Sequence, residues 1–159
     1  MTDMLVKLYN LPPLEPALTQ QAMQNITVRR ALAPEAHLIA VWVEEHFRAY
    51  WVSECMVAVT RQPVSCFVAT QDGALVGFSC YDTTRRGFFG PTGVAEAARG
   101  RGIGKSLLLV ALHDMWAVGY GYAVIGSAGP VEYYERTVGA TAIPESIPGV
   151  YAGMLRNPE

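Results

Sequence analysis

A chain of 159 residues, 51% of them hydrophobic, is long enough for one domain with a full core. A formal net charge of −2, with 12 basic against 14 acidic residues, excludes a general affinity for nucleic acid or anionic membrane. Cys55, Cys66 and Cys80 are odd in number and lack C-x-x-C spacing, so neither a disulfide framework nor a metal site is expected.

Residues 1–25 begin with a short strand pattern, Leu5-Val6-Lys7-Leu8-Tyr9. Leu11-Pro12-Pro13-Leu14-Glu15-Pro16 follows, and its prolines suit neither a regular helix nor an inner strand. An N-terminal arm over 1–25, laid on the surface or on a partner subunit, is expected, with the folded domain over 26–159. Ile26 to Arg30 alternates as a strand does. Pro34 suits a first helical turn, and Leu38, Ile39, Trp42, Val43 and Phe47 recur at helical spacing. A second helix runs from about Tyr50 to Thr60, and Pro63 stops it. Ser65–Thr70 and Leu75–Tyr81 are strands joined by the hairpin turn Gln71-Asp72-Gly73-Ala74. Phe88–Val94 is a third strand. Its internal Gly90-Pro91 predicts a bulge that frees backbone groups for a ligand.

Arg99-Gly100-Arg101-Gly102-Ile103-Gly104-Lys105-Ser106 comes next, where that strand hands over to a helix of about 103–118. Such a junction offers uncapped N–H groups and the positive end of a helix dipole, and glycines let an anion come close. A phosphate or diphosphate site is predicted. Arg99 stands where the P-loop needs its first glycine, and Lys105 stands where the dinucleotide fingerprint needs its third. Beyond the helix, Gly119 suits its C-terminal stop. Tyr122–Ile125 is an apolar central strand, Pro130 opens a short helix through Val138, and Val150–Leu155 is read as a last strand.

Arg-x-x-Gly-x-Gly at Arg99, Gly102 and Gly104, after an apolar strand and before an apolar helix, resembles the acetyl-coenzyme A signature of the GNAT superfamily of N-acetyltransferases. The resemblance covers roughly 26–155. It implies an α/β GNAT fold: a mixed central sheet flanked by helices in the order β-α-α-β-β-β-α-β-α-β. It also implies that Arg99 to Ser106 (Arg99, Gly100, Arg101, Gly102, Ile103, Gly104, Lys105, Ser106) hold the coenzyme A pyrophosphate. Gly93 and Val94 would pair with the pantetheine. Glu132-Tyr133-Tyr134-Glu135-Arg136 resembles the family helix whose tyrosine faces the coenzyme sulfur, with Tyr134 aligned by its Glu-Arg and Tyr133 as rival. The spacing to Gly139 is one residue longer than usual, and Ala140 replaces the usual Phe. The customary Asn is missing, which leaves Ser127 as the nearest polar contact for the pantetheine arm.

Acetyl transfer from a thioester needs a neutral amine, a polarised carbonyl and a protonated leaving thiolate. Tyr134 is the candidate acid. Glu54, Glu96 and Glu132 are all candidates for the base. Cys80 has no activating neighbour, and His37, His46 and His113 have no matched ligand partner. Trp42, Phe47, Tyr50 and Trp51 could line an acceptor pocket or fill the core. The expected activity is transfer of acetyl from acetyl-CoA to a primary amine in a ternary complex, with a small-molecule acceptor ahead of a protein. The alternatives are a longer acyl donor, or an acyl-CoA-binding sensor or interaction domain with little or no catalysis. The leader and the apolar balance suggest a homodimer. No apolar run reaches membrane-spanning length and no secretory pattern opens the chain, so a cytoplasmic location is expected, with no membrane or nucleic-acid partner.

Overall fold

The structure, a computed structural model, describes residues 1–158. Its elements in chain order are β1 (Thr2–Lys7), α1 (Glu15–Met23), β2 (Thr27–Arg30), α2 (Ala36–His46), α3 (Ala49–Val59), β3 (Cys66–Gln71), β4 (Ala74–Tyr81), β5 (Phe88–Val94), α4 (Ile103–Ala117), β6 (Tyr122–Ala128), α5 (Val131–Val138) and β7 (Thr141–Ile143). All seven strands form one mixed sheet in the order β2-β3-β4-β5-β6-β1-β7. Among the described residues, only the β5–β6 pair is parallel. From β2 onward the order is the expected β-α-α-β-β-β-α-β-α-β.

The sheet separates two apolar layers because side chains alternate along each strand. On β4, Ser79 Oγ donates to the Leu107 carbonyl at 2.8 Å, so that face meets α4. Gly77 lies on the same face, and an added Cβ there would be 2.9 Å from Leu107 Cδ1. Phe78 and Cys80 face the other way and join Val43, Cys55 and Val59 of α2 and α3. The β3–β4 turn has positive φ at Asp72 and Gly73, as the hairpin pattern predicts.

Two expectations are corrected. The arm expected over 1–25 is not an arm. β1 lies inside the sheet, antiparallel to β6 and β7, and Met4 and Val6 are fully buried. The proline-rich stretch is followed at once by α1, which tolerates Pro16 because it falls in the first turn, where N–H groups have no internal partner. His113 Nε2 lies 2.7 Å from the Pro12 carbonyl and ties this segment to α4. The last strand is Thr141–Ile143, not Val150–Leu155. Gly149 and Gly153 take positive φ and curl that stretch into a short turn.

Candidate active site

The site begins where two strands part. β5 and β6 are paired at Phe88–Val124 and Phe89–Ile125 and not beyond. After that point β5 continues against β4 alone, while β6 continues against β1. The β4–β5 register slips between Ser79 and Tyr81, so an extra residue is accommodated at Gly90-Pro91. This is the bulge that those two residues predict. A cavity of about 520 Å³ opens in the fork. Gly90, Pro91 and Thr92 line one wall, and Gly126 to Pro130 line the other.

β5 ends at Val94, and the chain runs from there through a short helical turn at Glu96–Ala98 into the glycine turn. Gly100 and Gly102 take φ of +82° and +79°, which favours glycine. α4 starts at Ile103 with no side-chain cap. Ser106 N–H already donates to the Gly102 carbonyl, so the uncapped amides are those of Ile103, Gly104 and Lys105. Arg99, Arg101 and Lys105 are exposed around them. Ser106 is a correction, because its side chain is buried and its Oγ is turned inward to the Gly102 and Ala17 carbonyls. Ile103 is also buried and offers only its backbone. Gly93 lies under the Phe47 ring, which leaves no room for a Cβ; Val94 follows it, pairing with Gly77 of β4.

α5 supplies the tyrosine. Its helical phase sends Tyr134 into the cavity wall, and Tyr133 packs on the core beside it. Tyr134 Oη has no hydrogen-bond partner among the described residues. Burial pushes its phenol up to about 12, with a smaller push from Tyr133. Ser127 is also in the wall. Its backbone takes φ of +45°, and its N–H is bound by Asp3 Oδ1 at 2.7 Å.

Of the three candidate bases, only Glu54 reaches the cavity. Thr83 and Thr84 donate to its Oε2 at 3.3 and 3.0 Å. Burial raises its pKa, and the two hydroxyls partly offset that. Glu96 and Glu132 are exposed elsewhere. Cys80 is fully buried, and burial holds its thiol well above its ordinary pKa, so it offers no nucleophile.

The acetyltransferase (GNAT) family profile matches residues 29–140. The chain belongs to the GNAT acetyltransferase family. The family is one of acetyltransferases. Solved structures agree on the fold. A GCN5-related N-acetyltransferase from Sphaerobacter thermophilus is 22% identical over 89% of this chain and 48% of its own, with a TM-score of 0.66. The glucosamine N-acetyltransferase region of a fungal multi-domain beta-N-acetylglucosaminidase is 17% identical over 89% of this chain and 19% of its own, with a TM-score of 0.73. A GNAT family acetyltransferase from Brucella melitensis, solved in complex with acetyl-CoA, is 24% identical over 70% of this chain and 80% of its own, with a TM-score of 0.53. The GNAT domain thus spans about half the Sphaerobacter protein and about a fifth of the fungal one. No curated protein matches it in sequence. Among the described residues, no helix is long and apolar enough to cross a membrane.

The glycine turn, uncapped amides and exposed basic side chains suit a pyrophosphate. Sequence reasoning missed Arg48, Thr83, Thr84 and Tyr151, which complete the far wall. None lies in a motif. Tyr151 arrives from the C-terminal turn, its Oη 3.0 Å from where a Cβ on Gly126 would sit.

Proposed function

We propose that this domain transfers the acetyl group of acetyl-CoA to a primary amine by direct attack in a ternary complex, without an acyl-enzyme. The parting of β5 and β6 after Phe89 and Ile125 carries the reading, because it leaves an unpaired strand edge and Tyr134 on one cavity. The amides of Ile103, Gly104 and Lys105 hold the pyrophosphate, with Arg99 and Arg101 adding positive charge. The free edge of β5 runs beside the pantetheine and can donate to the thioester carbonyl.

The thioester supplies an activated acyl carbon and a thiol leaving group. The amine nitrogen makes the new C–N bond as the C–S bond breaks. One proton ends on sulfur, and the other surplus amine proton passes to solvent. Tyr134 faces the departing sulfur. Its phenol stays protonated through the neutral and alkaline range, so it always presents a donor. The sulfur's own basicity rises in the same dry site, which favours its taking the proton. A cavity of about 520 Å³, shared with the end of the pantetheine, suits a small acceptor better than a folded protein.

Calorimetric titration with acetyl-CoA tests the first half, and thiol release on a panel of amines tests the second. Tyr134→Phe should lower kcat about 100-fold and leave the acetyl-CoA Kd unchanged. Absence of binding by the folded protein would remove the reading. Binding without turnover of any amine would turn it into a sensor.

A further inference from the structure

The acceptor half of the cavity has one carboxylate, Glu54, and one guanidinium, Arg48, among the described residues that line it. Both threonine hydroxyls fall on Glu54 Oε2, and Oε1 has no protein donor among the described residues. Thr83 is itself held to the bulge, because its single hydroxyl proton is shared between Glu54 Oε2 and the nearer Gly90 carbonyl at 3.0 Å. The carboxylate is therefore anchored on one oxygen and open on the other, beside the strand expected to hold the acetyl group. Around it the wall is aromatic, formed by Trp51, Phe88 and Tyr151. Arg48 sits 5.8 Å over the Trp51 ring, at the start of the same helix.

This arrangement has a charge limit. A desolvated ammonium needs its own anionic partner, or it carries the full desolvation cost of an unpaired buried ion. One open carboxylate oxygen serves one ammonium. A second cation on the same molecule would find aromatic rings and Arg48. From these residues we infer that the acceptor is a primary monoamine on an aromatic or aliphatic body, its ammonium received by Glu54 Oε1 and its far end neutral or anionic toward Arg48. Polyamines and aminoglycosides are excluded as preferred acceptors. The ammonium gives one proton to the Glu54 carboxylate, which returns it to solvent after transfer.

The inference rests on the acetyl-transfer reading, and the test keeps the two apart. Phenethylamine and tryptamine are compared with spermidine and kanamycin, by thiol release and by calorimetric titration into the CoA-saturated protein. Either monoamine should exceed spermidine in kcat/KM by about 100-fold. Glu54→Gln should weaken phenethylamine binding about 10-fold or more, as loss of a charge-assisted hydrogen bond requires, with acetyl-CoA affinity intact. A thermal melt confirms that the variant is folded, and Glu54→Asp should recover part of the binding. Preference for spermidine or kanamycin, or unchanged phenethylamine binding by Glu54→Gln, would overturn the inference and leave acetyl transfer standing. Failure to turn over any amine would overturn both.

Discussion

At Gln21 the side chain is fully buried, and its Nε2 donates to the Arg101 carbonyl at 3.0 Å. Gln24 Nε2 reaches the same carbonyl at 3.1 Å. The two amides pin the glycine turn from behind, which orients the amides beyond it. Gln21 Oε1 has no partner among the described residues, so Gln21→Leu loses one hydrogen bond and also removes an orphaned oxygen. Its effect should therefore fall on binding more than on stability. The acetyl-CoA Kd should rise roughly fivefold, about 1 kcal/mol, in calorimetry. Glu54 gives a stability signature of its own. Burial raises its pKa in the fold, so the folded state holds its proton more tightly than the unfolded chain. That contribution is present below the ordinary carboxylate pKa and is lost as pH rises through the folded value. Glu54→Gln, which cannot ionise, should therefore melt higher than wild type at pH 8, and the gap should close toward pH 4. A gap that stays constant with pH would mean that the carboxylate is as well solvated folded as unfolded.

Among the elements, α4 and the β3–β4–β5 meander were legible from periodicity, turn residues and glycine placement. Their observed bounds lie within one or two residues of the reading. β1 was legible as a strand pattern but not as an inner strand. Nothing local says that Leu5 will sit opposite Val124 on one side and Thr141 on the other. The proline run drew attention away from α1, whose apolar positions are too few to signal a helix. Met4, Val6 and Leu8 are almost wholly buried, and each such side chain stabilises by about 1.5–3 kcal/mol. Their sum, roughly 5–9 kcal/mol, is comparable to the whole stability of an ordinary domain, about 5–15 kcal/mol. A chain trimmed to residues 26–159 should therefore show no cooperative thermal transition by circular dichroism. An independent surface arm would leave the melt intact.

For the whole molecule, the proposed coenzyme site draws on the turn at 99–106, β5 and α5, so binding there would link ligand and fold. Acetyl-CoA at about 100 times its Kd should add about 2.7 kcal/mol, or roughly 5–11 °C in melting temperature for a domain of this size. A shift that does not grow with ligand concentration would contradict specific binding to the native state. Arg30 contributes at the same scale: its guanidinium grips Asp114 at 2.6 and 3.0 Å and joins β2 to α4. Tyr134 is reached only through the resemblance of residues 132–136 to the family helix, with Tyr133 as its rival. The hairpin at 71–74, the glycine turn at 99–104 and the bulge at Gly90-Pro91 could all be read directly from the residues. Each rests on φ preferences or periodicity within a few neighbours. The place of β1, the inward turn of Ser106, the choice of Glu54 over Glu96 and Glu132, and the return of Tyr151 to Gly126 could not. They depend on which distant surfaces meet: Asp3 holds Ser127 from 124 positions away, and a linear pattern carries no record of such pairings.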